Sequence, residues 1–324
     1  MSAFIDDHRD RFGVEPICEV LDVSASAYYQ RATGERSARS VEDERLVARI
    51  REVHKLNFEC YGYPRVWHEL GRQGEKVGRD HVARLMRQEG IRGAKRRGKP
   101  WRTTIADLAA QKRPDLVNRD FTATAPDRLW VGDLTYLRTW EGRMYFAFLI
   151  DVFSRMIVGW QIATHMRSDL VLDTLRMALG TRQPGADVQL VAHTDQGSQY
   201  TAEDYTQVLD DHRVLASVGS VGDAYDNALS ESFVDSYKTE LIADRVWRTN
   251  AQLELATVDY VGWFNHRRLH SSIANRPPVE HEREYWARVA LELEPLPAQA
   301  APTVTDLRGV GTVASPMGGS EHSH

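Results

Sequence analysis

Hydrophobic and polar positions divide the chain into a helical first part and a strand-rich second part. In the first hundred residues, apolar side chains recur three and four positions apart, which is the spacing of one helix face. This spacing predicts short helices over 15–21, from Ser24 as N-cap through Arg31, over 64–72 and over 79–89. Gly74 and Gly90 follow the last two of these, as glycines often follow helices. The paired short helices favour a helix-turn-helix-like arrangement.

The pattern changes to strand spacing after Arg128. Alternating or nearly continuous apolar runs predict five strands, over 130–137, 144–152, 156–162, 189–194 and 214–218. Helices are expected at 168–179, with Ser168 as N-cap, at 201–209 and at 226–242. The first three strands follow one another through short connections, which predicts an antiparallel meander. The order βββαβαβα therefore predicts an α/β domain on a mixed five-stranded sheet with flanking helices.

The net charge of −5 conceals two oppositely charged parts. Residues 36–102 contain 18 Lys and Arg against 9 Asp and Glu, whereas residues 121–324 contain 17 against 27. The stretch 92–102, RGAKRRGKPWR, combines six basic residues with glycines, which suits an arm lying along DNA phosphates. The candidate DNA contacts here are Arg84, Arg87, Lys95, Arg96, Arg97 and Lys99. A solvated face of a small helical bundle and a basic linker without a ligand are the alternatives.

Membrane, secreted and zinc-binding classes are disfavoured by the sequence. The longest apolar run, 144–152, contains Asp151 and is far shorter than the ~20 residues of a membrane helix. The first residues, MSAFIDDHRD, are acidic where a secretory signal would be basic and then apolar, so we expect a cytosolic protein. Cys18 and Cys60 lack CxxC spacing, which predicts buried small hydrophobes rather than a disulfide or a zinc site.

Three acidic residues lie at positions where a carboxylate is energetically unfavourable unless it has a function. Asp133 interrupts WVGDLTYL, a predicted strand in the middle of a sheet. Asp195 directly follows an apolar strand, at the carboxyl end where α/β sites are usually built. Glu231 lies on the last predicted helix, on the side of Asn227 and Lys238 and opposite the apolar stripe. Taken singly, Asp133 could pair locally, Asp195 could open a turn and Glu231 could be a surface residue.

Together the three acids resemble the DD(35)E signature of retroviral integrases and related transposases, because 35 residues separate Asp195 from Glu231. The surrounding segments resemble the OrfB transposases of the bacterial insertion sequence three family: WVGDLTYL, LIDVFSRMIVGW, HTDQGSQY, DNALSESF and NHRRLHSSI. YGYPRVWHEL and GRDHVARLMRQEGIRG resemble the N-terminal helical region of that family. The resemblance runs from Val41 to Trp286. It implies a transposase that cuts DNA and transfers strands at insertion-sequence ends. The order βββαβαβα is also that of the ribonuclease-H-like fold.

The three acids predict divalent cations as cofactors. Converging carboxylates repel one another, and hard cations with oxygen ligands relieve that repulsion, with Mg²⁺ first and Mn²⁺ as an alternative. Two ions ~3.5–4 Å apart can activate the attacking oxygen and stabilise the leaving oxygen of an in-line displacement at phosphorus. We expect Asp133 to bridge both ions and Asp195 and Glu231 to hold one each. Water would first free a 3′-hydroxyl, which would then attack a second phosphodiester.

Two residues beside Glu231 are candidates for contact with DNA. Lys238, two helical turns further on, matches a position where related enzymes carry a basic residue near DNA. A surface salt bridge between Lys238 and Asp235 is the alternative. Asn227 lies on the same predicted helix side as Glu231 and is the second candidate.

Polar residues elsewhere have competing interpretations. His266 and His270 have the i, i+4 spacing of metal ligands, but the sequence offers no third ligand. With the neighbouring Arg268, His270 is therefore expected to contact phosphate. Asp151 is a further acid of the sheet, and we expect it to cap a turn with Ser154.

The predicted domains are an N-terminal helical segment (1–35), a basic helix-turn-helix-like DNA-binding region with its arm (36–103), a ribonuclease-H-like integrase catalytic core (121–245), a C-terminal helical extension (246–287) and a disordered tail (288–324). The resemblance implies double-stranded DNA as partner at element ends and target, a homo-multimer, and an upstream helix-turn-helix protein fused by ribosomal frameshifting. We expect a location in the bacterial cytoplasm, associated with the nucleoid. A catalytically idle DNA-binding regulator on an integrase fold and a nuclease that only hydrolyses are the alternative functions.

Overall fold

A mixed sheet of five strands lies at the centre of the computed structural model of the chain. In chain order the strands are β1 (Leu129–Thr139), β2 (Gly142–Asp151), β3 (Ile157–Ala163), β4 (Val191–Thr194) and β5 (Leu215–Val218). Across the sheet they run in the order β3-β2-β1-β4-β5. β1 to β3 form an antiparallel meander, and β4 and β5 run parallel to β1 and to each other. β1 is therefore the central strand and has neighbours on both edges.

The described residues contain eleven α-helices. Six precede it: α1 (Ser2–Phe12), α2 (Val14–Val20), α3 (Ala25–Ala32), α4 (Ala38–Leu56), α5 (Tyr63–Arg72) and α6 (Arg79–Gln88). Three alternate with its strands or follow them: α7 (Ser168–Arg182), α8 (Glu203–Asp211) and α9 (Ala228–Tyr237). The last two are α10 (Asn250–His266) and α11 (Pro278–Leu293). A π-helical turn (Lys238–Ile242) continues α9, and a 3₁₀ turn (Ser271–Ile273) precedes α11.

The structure describes residues 2–33, 36–95, 115–117, 120–185, 187–195, 197, 199–200, 202–218 and 228–293. Within these ranges no helix is long and apolar enough to cross a membrane. Four candidate DNA contacts lie outside them: Arg96, Arg97, Lys99 and Asn227. Chain contacts separate residues 1–285 from residues 286–324, and the features below belong to the first unit.

Two hydrophobic layers cover the two faces of the sheet. One face of β1 and β2, with Val131 and Phe148, packs with α9, α10 and the helices α4 to α6. The other face, with Trp130 and Leu149, packs against α7 and α8. Neighbouring residues of β1 enter opposite layers because side chains alternate along a strand. A separate small cluster around Cys18 and Tyr28 holds α1 to α3 together.

The predicted fold class is confirmed: the five strands and their order are those expected, on a mixed sheet with a helical N-terminal region. Ser24 caps α3 as predicted, since its side chain accepts the Ala27 backbone N–H at 3.3 Å. Gly74 and Gly90 have positive φ and end the last two helices before the sheet, as expected. Cys18 and Cys60 are buried and free, which also agrees with the sequence.

Three local expectations are corrected. Arg167, not Ser168, is the N-cap of α7, and no side-chain hydrogen bond caps this helix. The helix carrying Glu231 changes to a π-helical turn at Lys238 instead of continuing as an α-helix. Finally, α11 runs to Leu293, six residues into the expected tail. Its last turns are rich in Ala, Arg, Leu and Glu, which have high helix propensity, and the sequence has Pro295 two residues after Leu293.

Candidate active site

Asp133 is a buried carboxylate in the middle of the central strand. It stands opposite Phe148 of β2 and is 8% exposed, and its carboxylate accepts the backbone N–H of Leu134 at 2.7 Å. Burial raises the pKa of Asp133 most, followed by the charge of Asp195. Glu231 raises it further, and the hydrogen bond from Leu134 opposes these effects. The resulting pKa of Asp133 is about 8, so a group or ion that stabilises the carboxylate fits this position.

Glycines lie close in the chain to Asp133 and to Asp195. A Cβ on Gly132 would meet Leu149 at 2.7 Å and Thr194, the last residue of β4, at 3.4 Å. The missing side chain therefore lets β2 pack closely against β1 at this position, whereas Thr194 of β4 lies at an ordinary contact distance. Beyond β4, the backbone N–H of Gly197 donates to a carboxylate oxygen of Asp195 at 3.2 Å. The carboxyl end of β4 thus carries its acid as the sequence predicts.

Glu231 lies in the first turn of α9. Phe233 and Tyr237 of the same helix pack into the core, where the Tyr237 ring stacks 4.7 Å from that of Phe146. Glu231 itself is exposed, and partial burial raises its pKa. Its charge affects the pKa of Asp133 less than that of Asp195 does. The charges of Asp195 and Glu231 both act on Asp133, that of Asp195 more strongly; the described residues contain no group of three side chains spaced to hold a metal ion.

Lys238 begins the π-helical turn and is half-buried near Asp133. Its Nζ lies 5.1 Å from the centre of the Tyr136 ring of β1. Burial lowers the pKa of Lys238 to about 8, although the negative charge of Asp133 opposes that shift. In return, the ammonium group lowers the pKa of Asp133. The candidate DNA contact predicted from the sequence is therefore an electrostatic neighbour of the acids.

Two buried residues that the sequence did not single out are close to Asp195 in the chain, His193 on β4 and Tyr200 after it. Tyr200 is buried, and its phenol pKa is raised well above the usual value, first by burial and then by the charges of Asp195 and Asp133. His193, on β4, is buried and its Nδ1 lies 2.9 Å from the hydroxyl oxygen of Ser217 on β5. The only sequence signal for Tyr200 is an aromatic residue placed among polar ones five positions after Asp195.

The structure places Arg268 and His270 inside the protein, which argues against their predicted phosphate contacts. Arg268 is 5% exposed, and its guanidinium donates to Glu240 at 2.6 and 2.8 Å. The same carboxylate accepts the hydroxyl of Tyr260 at 2.8 Å. His270 is buried beside Arg268, and burial lowers its pKa well below the usual value. The arginine is used to neutralise a buried acid, and α10 ends at His266, which is exposed.

Asp151 has the structural role expected from the sequence. Its carboxylate accepts the backbone N–H of Ser154 at 2.7 Å and the hydroxyl of Ser154 at 2.6 Å. It also accepts the backbone N–H of Asp127 at 2.9 Å. Burial raises the pKa of Asp151 to about 6 against these hydrogen bonds. Asp151 closes the turn after β2.

A groove is lined by basic residues of α6 and by basic residues at the start of the predicted arm. Arg84, Arg87 and Lys95 all line this groove. Arg84 also donates to Asp43 of α4 at 2.8 and 3.0 Å, so part of its charge is already neutralised. Arg87 and Lys95 are exposed. These two residues therefore remain the better candidates for contact with DNA on this surface.

The raised pKa of Asp133 predicts how stability depends on pH. The pKa is 3.8 for an ordinary aspartate and about 8 in the fold, so folding favours the protonated form. Its contribution is fully present below about pH 4 and is lost as the pH rises through about 8. Urea unfolding of the full chain in EDTA should show this loss, and Asp133→Asn should flatten the profile. An equally steep decline in Asp133→Asn would contradict the raised pKa.

Comparison with known proteins gives consistent matches over most of the chain. The HTH-like domain family matches residues 41–99, and two Integrase core domain families match residues 123–224 and 212–278. The transposase for insertion sequence element IS629 of Shigella sonnei is 43% identical over 294 residues, covering 89% of this chain and 98% of the relative. The transposase for insertion sequence element IS904 of Lactococcus lactis is 36% identical, covering 76% of this chain and 97% of the relative.

The solved structures that match the chain include a chain of an intasome and an integrase catalytic core domain. A chain of the simian T-cell lymphotropic virus intasome in complex with PP2A regulatory subunit B56 gamma matches with a TM-score of 0.43 and 13% identity, over 79% of each chain. The HTLV-2 integrase catalytic core domain in complex with magnesium matches with a TM-score of 0.38 and 12% identity. That match covers 50% of this chain and 99% of the HTLV-2 chain.

Proposed function

The chain belongs to the insertion sequence three family of transposases, and from that premise we propose that Asp133, Asp195 and Glu231 catalyse both DNA cleavage and strand joining at the element's ends. The observation that carries the proposal is the buried carboxylate of Asp133, whose pKa is raised by burial and by both other acids. A perturbed acid of this kind, next to a second one, is typical of a catalytic position.

The chemistry of these acids fits divalent cations. A carboxylate buried beside another one is unfavourable near neutral pH unless a cation accompanies it. We propose that Asp133, Asp195 and Glu231 hold Mg²⁺, with Mn²⁺ as an alternative and two ions as the expected number. When bound, the cations activate the attacking oxygen and stabilise the leaving one. The charges of Asp195 and Glu231 both act on Asp133, which supports a centre that all three acids share.

Other parts of the chain would hold the DNA. The HTH-like region carries the exposed Arg87 and Lys95, which suit phosphate contacts at an element end. The ammonium group of Lys238, close to Asp133, would orient the phosphate that is attacked. Joining needs both element ends, which favours a homo-multimer. We also propose that the chain is fused to an upstream helix-turn-helix protein and that it associates with the nucleoid.

An assay with a labelled element-end duplex, a target plasmid and Mg²⁺ tests the proposed function against its alternatives. A transposase should release a 3′-hydroxyl end and join it to the plasmid. A nuclease would give the cut end without joined product, and a DNA-binding regulator would retard the duplex without cutting it. Either of these two outcomes with the wild-type chain would overturn the proposal.

Two substitutions of Lys238 are expected to distinguish the effect of its charge on the joining rate from the effect of its side-chain shape. Lys238→Met should lower the joining rate by about ten-fold, because one charged contact to phosphate is lost. Lys238→Arg should keep the rate at neutral pH and retain it at about pH 9, since a guanidinium stays protonated where the Lys238 ammonium, with a pKa of about 8, does not. Joining rates over this pH range measure the effect. Parallel pH profiles for wild type and Lys238→Arg would contradict it.

A further inference from the structure

The hairpin between β1 and β2 extends past the acids and ends in an exposed basic and aromatic surface. Asp133 lies in the middle of β1, and the strand continues for six more residues to Thr139. Arg138 and Arg143 stand directly opposite each other on the two strands, and both are exposed. Trp140, at the tip, is 71% exposed.

The opposed arginines are unfavourable for the isolated protein. Like charges directly across an antiparallel pair destabilise it relative to uncharged residues. Among the residues that the structure describes, no carboxylate forms an ion pair with Arg138 or Arg143. The nearby Glu141 instead accepts the backbone N–H of Asn250, at the start of α10, at 2.7 Å. The two guanidinium groups are therefore available to an external anion.

Aromatic rings flank these arginines on both sides. Tyr136 and Tyr145 form the next pair on the same face of the hairpin, and both are partly exposed. At the tip, the guanidinium of Arg248 lies 5.4 Å from the centre of the Trp140 ring. On the side towards the acids, Lys238 lies over Tyr136. Basic groups interleaved with aromatic rings are typical of surfaces that bind nucleic acid.

The length of this surface fits a stretch of duplex. From Asp133 to the tip residue Trp140 the chain advances seven positions, or roughly 24 Å at 3.4 Å per residue. Because one strand of B-DNA also advances about 3.4 Å per nucleotide, the distance from Asp133 to the tip corresponds to about seven base pairs. By the alternation of side chains along β1, Asp133 lies on the face of Val131, whereas Tyr136 and Arg138 lie on the other face, and Lys238 is the basic group near both Asp133 and Tyr136.

We propose that the hairpin surface, formed by Tyr136, Arg138, Trp140, Arg143, Lys238 and Arg248, binds the target duplex during strand joining; this inference rests on the proposed function. Arginines contact phosphates irrespective of base sequence. The arginines lie on an exposed hairpin and not on a helix of the kind that enters the major groove to contact base edges. Those properties suit a target better than an element end, for which the HTH-like region offers a separate surface.

The double variant Arg138→Gln/Arg143→Gln tests this inference in the full chain. Its affinity for a duplex of unrelated sequence should fall by about ten-fold or more, and the slope of log affinity against log salt should shrink by about 2. Joining should decline more than cleavage of the element end. Affinity for an element-end duplex should change less than affinity for the unrelated duplex.

The matched control is Arg176→Gln/Arg213→Gln, which removes the same charge from exposed positions. Arg213 precedes β5, whose first residue is level with Leu129, at the opposite end of β1 from the tip. This control should keep the wild-type salt slope. An identical slope for Arg138→Gln/Arg143→Gln and the control would overturn the inference. So would a change confined to the oligomeric state of the DNA-free protein in light scattering, because the surface would then bind a second copy of the chain.

Failure of this inference is distinguishable from failure of the proposed function. Binding of the unrelated duplex requires no reaction, so the salt slope reports on the hairpin surface even if the acids do not catalyse joining. Conversely, a wild-type chain that binds DNA but never joins it would refute the proposed function. A changed salt slope in that case would keep the surface as a DNA-binding site and remove only its role in joining.

Discussion

Glu231→Gln is expected to lower both end cleavage and strand joining by at least about 10³-fold, which corresponds to about 4 kcal/mol of activation free energy. The amide is nearly the same size as the carboxylate but cannot supply the negative charge that a divalent cation requires. Since Glu231 is exposed on α9, its replacement leaves the core contacts of Phe233 and Tyr237 intact. Rates with labelled element-end DNA, together with gel retardation of the same DNA, measure both effects.

DNA binding by Glu231→Gln should stay close to that of the wild type, because this residue is an acid and not a phosphate contact. The matched control is Glu254→Gln, which makes the same chemical change at an exposed position of α10. The control should cleave and join like the wild type. Joining by Glu231→Gln at the rate of the control would exclude Glu231 from the catalytic centre.

Arg268→Met is expected to lower the free energy of unfolding by about 3–5 kcal/mol, because it leaves Glu240 charged and buried without its main partner. Burial alone would raise the pKa of Glu240, but Arg268 and the other donors outweigh that effect and lower it. Without the arginine the pKa of Glu240 should rise, so the loss of stability should diminish as the pH falls. Urea unfolding at neutral and acidic pH measures this dependence.

A second substitution separates a buried charge from a missing contact. Adding Glu240→Gln to Arg268→Met removes the uncompensated charge, so the double variant should recover part of the lost stability at neutral pH. Recovery would assign the loss to electrostatics. If Arg268→Met instead keeps the wild-type stability and loses DNA affinity, the phosphate contact expected from the sequence is right and the buried role is wrong.

Most of the sheet was predictable from the sequence because its strands have clear patterns. β1 and β2 alternate or stay apolar over their length, and both faces of the sheet are covered. An acid in such a strand is conspicuous, which is why Asp133 could be found from the sequence. Asp195 was equally visible, since it directly follows Thr194, the last residue of β4.

Other features depend on contacts between distant segments and leave little local signal. The burial of Arg268 requires Glu240, 28 residues away, and a π-helical turn that directs this acid inwards. The long helix α4 buries only three hydrophobic residues, so its apolar stripe is narrow, and the sequence did not predict it. The distance of Glu231 from Asp133 depends on how α9 packs on the sheet, which helical spacing does not determine.

Strand joining with a precut element-end duplex tests most directly whether the three acids act as one metal-dependent centre. The duplex already carries its 3′-hydroxyl, so the assay isolates the second step from cleavage. The wild-type chain should give joined product with Mg²⁺ and none with EDTA, and Asp133→Asn, Asp195→Asn and Glu231→Gln should each reduce it to background while still binding the duplex. Joined product at the wild-type rate from any of these three variants, or from the wild type in EDTA, would contradict a shared centre.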